Sequence, residues 1–201
     1  MGETLKISNQ NLHVIALVAS AGGIEAVSKV LGGLPATLAA AVIVLIHQAP
    51  DRDNLLVRVL GRRSCLPVQV ACDAAPLRAG TVVVAPPGSH VLVAGGPSVA
   101  LILSGAVPPS RPSADLLLAT LATACGPRAT AVVLSGGGHD GATGATAVHH
   151  FGGTVLASSE ATSEHFSMPL ATIQRRGAID HVVALNEIAD LVASIIAASR
   201  A

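Results

Sequence analysis

Ser20, His47 and Asp140 are the side chains from which a nucleophilic hydrolase can be assembled. A serine hydroxyl attacks a carbonyl poorly until an imidazole takes its proton. The imidazole in turn needs a carboxylate to fix its tautomer and to stabilise its cation. Each of the three residues stands at or just beyond the end of an uncharged aliphatic run: 14–19 before Ser20, 41–46 before His47 and 129–134 before the segment holding Asp140. Such runs read as strands buried on both faces of a parallel sheet. Parallel strands deliver the residues after them to one sheet edge, where open α/β sheets bind ligands. Singly, each residue has a plainer use: Ser20 and Asp140 can cap helices, and His47 can sit in a core bonded to a carbonyl. Convergence on one edge is what favours the triad. The order Ser…His…Asp differs from those of the well-known triad folds, which convergent geometry allows.

The glycines near these residues are the next candidates. Ser20-Ala21-Gly22-Gly23 forms a tight turn into a helix carrying Ile24, Val27, Val30 and Leu31, so backbone N–H groups of Ala21 and Gly22 can face an oxyanion. Gly136-Gly137-Gly138 lets backbone approach a ligand closely, and Gly137 can present a second N–H; a flexible turn is the alternative. Two rival chemistries remain open. The Ser20 turn resembles a degraded dinucleotide turn, but G-x-G-x-x-G is incomplete and the second strand ends in His47 rather than an acidic residue. A metal site from His47, His139, Asp140 and His149-His150 is the other, with loosely spaced ligands.

The supporting elements are legible from pattern. The 201 residues suit a single domain, 14–198, behind an N-terminal extension, 1–13. Ala, Val, Leu and Ile dominate, with two Phe and neither Trp nor Tyr, an α/β composition. Twelve basic and twelve acidic side chains give zero formal charge, and no basic footprint for nucleic acid or anionic lipid stands out. The longest apolar run, 38–46, is too short to span a bilayer, and the N-terminus lacks a signal pattern. Cys65, Cys72 and Cys125, odd in number and without ligand spacing, read as reduced thiols of a cytoplasmic protein. Gly32-Gly33-Leu34-Pro35 reads as a helix stop. Residues 50–54 offer caps for a helix carrying Leu55, Leu56, Val59 and Leu60, and 67–71 is a short strand. Segments 81–85, 91–94 and 99–103, too close together for helices, read as antiparallel hairpins at a sheet margin. Then come a proline-rich loop at 104–113, a helix at 114–124, strands at 154–157 and 182–185, and helices from Met168-Pro169 and at 187–198.

Six stretches stand in a recognisable order: Val18-Ala19-Ser20-Ala21-Gly22-Gly23, Ile46-His47-Gln48-Ala49-Pro50, Val84-Ala85-Pro86-Pro87-Gly88-Ser89-His90, Arg111-Pro112-Ser113-Ala114-Asp115, Leu134-Ser135-Gly136-Gly137-Gly138-His139-Asp140-Gly141 and Met168-Pro169. Together they resemble the catalytic domain of CheB-type protein-glutamate methylesterases, over about residues 14–196. The resemblance implies a doubly wound, mostly parallel, Rossmann-like α/β sheet with an antiparallel hairpin. It also implies hydrolysis of glutamate γ-methyl esters on the cytoplasmic helices of chemoreceptors or a similar protein, with glutamine deamidation beside it. No cofactor or metal is implied. The family's triad falls on Ser20, His47 and Asp140. Ala21 stands where Thr is frequent, Gly137 where Met is common, His139 where Asn is frequent and Ser110 where His is usual. The family's commonest architecture has a regulatory receiver domain ahead of the catalytic one. Only thirteen residues precede the first strand here, so a catalytic domain open by default is expected, its activity set by expression, by docking to a receptor or by a separate regulator in trans. A non-catalytic relative that binds a receptor or nucleotide in the same cleft is the competing expectation.

Overall fold

The computed structural model describes residues 11–48, 55–103 and 112–199. The caps read at 50–54, most of the proline-rich loop and nearly all of the N-terminal extension lie outside them.

Seven strands form one parallel sheet: β1 (His13–Ala19), β2 (Ala40–Ile46), β3 (Val68–Val70), β4 (Val82–Val84), β7 (Ala129–Val133), β8 (Thr154–Ser158) and β9 (His181–Val183). Their order is β3-β4-β2-β1-β7-β8-β9, and every described pairing is parallel. Helices α1 (Gly23–Gly33), α2 (Leu55–Gly61) and α6 (Ile188–Ala198) cover one face. The other carries α3 (Ala114–Cys125), α4 (Ala142–His150), α5 (Ser167–Ile173) and an antiparallel hairpin of β5 (Ser89–Ala94) and β6 (Ser98–Leu103).

Two covered faces explain the unbroken apolar runs, because successive side chains on a strand point to opposite sides and both sides are core. On β1, Ile15, Leu17 and Ala19 pack with Val27, Leu31 and Val192, whereas Val14, Ala16 and Val18 pack with Leu117, Leu118 and Val148. From β1 the chain winds outward through β2 to β4 and β3, then returns to β7 and winds the other way to β9. Strand order therefore reverses between β1 and β7, which opens a crevice at their carboxyl ends.

One expectation needs correction. Segment 81–85 is not part of a hairpin: Val82, Val83 and Val84 are buried as β4, parallel to both β2 and β3. The link from β3 to β4 needs no helix because it crosses through two turns and a short stretch, 75–77, tied to the hairpin. Pro76 bridges Ser98, Leu77 N–H donates to Pro97 O at 3.0 Å and Val99 N–H to Ala75 O at 2.8 Å. Only β5 and β6 are antiparallel among the described strands. The helix stop read at Gly32-Gly33-Leu34-Pro35 holds, α1 ending at Gly33 before an extended Leu34, with neither glycine in a left-handed conformation. Gly33 is glycine for packing, since a Cβ there would lie 2.7 Å from Ala189 Cβ on α6.

At the opposite edge from the crevice, His13 is 5% exposed and its Nε2 lies 2.9 Å from Thr130 Oγ1. Burial, and secondarily the Arg128 charge, lower its pKa from 6.5 to about 4. Between those values the unfolded chain binds a proton that the folded chain refuses, so stability falls as pH falls from 6.5 towards 4. A difference of that size is worth about 3 kcal/mol. Urea midpoints at pH 7 and pH 4.5 should show this loss, and His13→Gln should remove most of it. An equal loss in both proteins would exclude His13 as its source.

Candidate active site

Ser20 comes directly after β1, and His47 directly after β2. The two strands are paired in register up to Ala19 and Ile46, and His47 N–H donates to Ala19 O at 3.0 Å, so the two residues are neighbours at the sheet edge. On the other side of β1, Ser20 N–H donates to Ser135 O at 2.9 Å, beyond β7. The serine thus sits beside the crevice where strand order reverses.

Neither Ser20 nor Asp140 caps the helix that follows it, and the His47 side chain is bonded to no carbonyl among the described residues. The N-cap of α1 is Gly22, at φ +71°, with no side-chain cap, and Ser20 Oγ has no hydrogen bond among the described residues. The N-cap of α4 is Gly141, at φ +98°, also without a side-chain cap, so Asp140 does not cap its own helix. His47 is bonded to a carboxylate: its Nε2 lies 2.8 Å from Asp140 Oδ2, and both side chains are mostly buried.

Asp140 is heavily committed. Oδ2 also accepts Ala114 N–H at 2.7 Å, while Oδ1 accepts Asp115 N–H at 3.0 Å and Ser113 Oγ–H at 3.2 Å. Burial alone would raise its pKa. The bonds from His47 and from the N–H groups of Asp115 and Ala114, with the His47 charge, outweigh burial and lower it. An ionised Asp140 accepts the proton on His47 Nε2, which leaves Nδ1 as the basic nitrogen. No hydrogen bond joins Ser20 Oγ to His47 here; such contacts are often long before substrate binds.

The glycines divide by role. Gly136 is a spacer: its N–H donates to His165 O at 2.9 Å, and a Cβ there would collide with Met168 Sδ and lie 3.0 Å from Ser20 Cβ. Gly137 is exposed and a Cβ there would meet nothing. Neither its N–H nor that of Ala21 or Gly22 has a partner among the described residues. Gly22 is required sterically as well, since a Cβ would fall 2.7 Å from Ser135 Oγ and 2.8 Å from Glu164 Oε2. The turn opens into a cleft lined by Ser20, His47 and Gln48, with exposed apolar side chains at Ile24, Leu55 and Val59.

Several contributors escaped sequence reasoning. Ser135 Oγ–H donates to Ala21 O at 2.8 Å and accepts His165 N–H at 2.9 Å, tying three loops together. Ser113 accepts Leu116 N–H at the start of α3 while donating to Asp140, and its own N–H donates to His90 Nδ1 at 3.0 Å. The only signal was that Ser135, Ser113, Asp115 and His90 fell within the matching stretches. The histidines of the metal alternative disperse. His139 is exposed, His149 pairs with Asp180 at 3.3 Å, and His150 packs edge-on to Phe151. Among the described residues no three His, Cys, Asp or Glu side chains gather as a ligand set. No helix among them is long and apolar enough to cross a membrane.

Residues 15–192 match the family model described as CheB methylesterase. A protein-glutamate methylesterase/protein-glutamine glutaminase of Moorella thermoacetica is 34% identical over 189 residues, 92% of this chain and 44% of the relative. One from Anaeromyxobacter dehalogenans is 39% identical over 179 residues, 88% of this chain and 51% of the relative. The chain thus spans about half the length of these curated relatives. The crystal structure of the Thermotoga maritima CheB methylesterase catalytic domain superposes with a TM-score of 0.86 at 28% identity, covering 92% of this chain and 98% of that one.

Proposed function

The chain belongs to the CheB methylesterase family, and from that premise we propose that it hydrolyses γ-methyl esters of glutamate side chains on a protein substrate, with Ser20 as nucleophile. The observation that carries this reading is the 2.8 Å pair of His47 and Asp140 beside a serine whose hydroxyl no other described group claims. Ser20 Oγ adds to the ester carbonyl carbon as its proton passes to His47. The carbonyl oxygen becomes an oxyanion facing the N–H groups of Ala21, Gly22 and Gly137. Collapse breaks the bond to the methoxy oxygen, which takes the proton from His47 and leaves as methanol. Water then adds to the glutamyl-serine ester, again losing a proton to His47, and releases glutamate carboxylate and free Ser20. A glutamine side chain would react in the same way with ammonia as leaving group. Methylated chemoreceptor helices in the cytoplasm are the substrate we assign.

The test is methanol release from a methyl-esterified chemoreceptor fragment, with an unmethylated fragment as control. Methanol in proportion to lost methyl groups is the expected result. Binding of the methylated fragment with no methanol would replace this reading with that of a non-catalytic receptor-binding relative.

A further inference from the structure

The carboxylate of Asp140 is held by groups outside its own glycine-rich loop. Gly138 and Gly141 flank the pair His139-Asp140, both at positive φ, +81° and +98°, a region that glycine enters and most residues avoid. A carboxylate that must meet His47 Nε2 within hydrogen-bonding distance needs an anchor from elsewhere. The amino ends of α3 and α4 supply it by capping each other. Asp140, just ahead of α4, accepts the N–H groups of Ala114 and Asp115 in the first turn of α3. Asp115, in the first turn of α3, returns the bond: its Oδ1 accepts Gly141 N–H at 3.0 Å and Gly144 N–H at 2.8 Å. These are free donors of a helix that has no side-chain cap of its own. Two carboxylates between two positive helix ends also suit the helix dipoles. The helices are in tight contact here, since a Cβ on Gly144 would lie 2.6 Å from Leu118 Cβ and 2.8 Å from Asp115 O.

We propose that Asp115 is a positioning residue for the triad, holding the backbone at Gly141 so that the neighbouring Asp140 carboxylate stays bonded to His47. This rests on the esterase reading above. Asp115 touches no reacting atom; it acts through Asp140. Both side-chain bonds use Oδ1, and Oδ2 accepts none among the described residues, so the role requires one well-placed acceptor oxygen.

Asp115→Ala should therefore lower kcat of ester hydrolysis about 10- to 100-fold and leave KM within about twofold, because the cleft residues are untouched. Asp115→Asn keeps an oxygen at the Oδ1 position and places its NH2 where no described donor points, so it should restore kcat to within about threefold of wild type. Rates are normalised to folded active sites by titration with a serine-directed phosphonylating reagent, which separates a positioning role from loss of folded protein. Should Asp115→Ala not fold, Asp115→Glu replaces it: the charge remains but the oxygens move by one methylene, and kcat must fall at unchanged KM. Wild-type kcat per folded site in the Ala or Glu variant overturns the proposal, as does an Asn variant no better than Ala. If the wild-type chain itself releases no methanol, the esterase reading fails instead; if it does, these variants bear on Asp115 alone.

Discussion

Replacing Ser20 by alanine is expected to lower turnover of a glutamyl methyl ester by roughly 10⁵-fold, with KM nearly unchanged. In the proposed reaction the hydroxyl forms the acyl-enzyme, and removing it leaves only the N–H groups of the turn and the contacts of the cleft. His47→Ala should cost a similar factor, because serine without a base is hardly ionised near neutral pH. The double variant should be little worse than either single one, since once one partner is gone the other has nothing to act on. The fold should not suffer. Ser20 Oγ makes no hydrogen bond among the described residues that alanine would forfeit, and Ser20 N–H keeps its bond to Ser135 O. Thermal unfolding together with methanol release from methylated receptor fragment checks both halves. A Ser20→Ala protein with wild-type turnover would mean that another nucleophile, or an activated water, does the work.

Why these residues were readable lies in the sheet. β1, β2 and β7 are the three central strands, buried throughout, and burial on both faces writes itself as an unbroken run of Val, Ile, Leu and Ala. The residues after such a run must emerge at the carboxyl edge, so Ser20, His47 and Asp140 could be placed together without any contact being known. Short edge elements carry no such mark. Val82-Val83-Val84 is a buried parallel strand, but three valines read equally well as half a hairpin. What decides is the crossover through Ala75, Pro76 and Leu77, a tertiary pairing with β6 that sequence spacing cannot express. Gly33 illustrates a different blindness: glycine near a helix end suggests a left-handed cap, and only the proximity of Ala189 shows that it is there for close packing. The mutual capping of α3 and α4 was invisible for the same reason. Asp115 and Asp140 are 25 positions apart, and each alone looks like an ordinary acidic residue in or ahead of a helix's first turn.

Asp140→Asn is expected to cost roughly 10³-fold in turnover and about 1–3 kcal/mol in stability, and the reason is that none of its acceptor positions is idle. Oδ2 takes donors from His47 and Ala114, and Oδ1 takes them from Asp115 and Ser113. An amide has one oxygen, so one side of it must meet donors with a donor. If the NH2 faces His47, it also faces Ala114 N–H, and His47 must move its proton to Nδ1, the nitrogen left to receive the proton of Ser20. If the NH2 faces Asp115 N–H, the Ser113 hydroxyl can reverse and accept, and only the longer of the two backbone bonds is lost. The second arrangement is the cheaper. It preserves the tautomer but leaves no negative charge to support the imidazolium, and it strands a buried N–H at the start of α3. Acid separates these costs. The wild-type carboxylate has its pKa lowered from 3.8, so its contribution is present above that value and fades as pH falls below it towards the folded-state value. The stability gap between Asp140→Asn and wild type should accordingly be wider at pH 7 than at pH 3, with the His13 effect common to both proteins. Denaturant midpoints at the two pH values measure it. A gap independent of pH would mean that the ionised carboxylate adds nothing to the amino end of α3, and wild-type turnover in the variant would remove Asp140 from the triad.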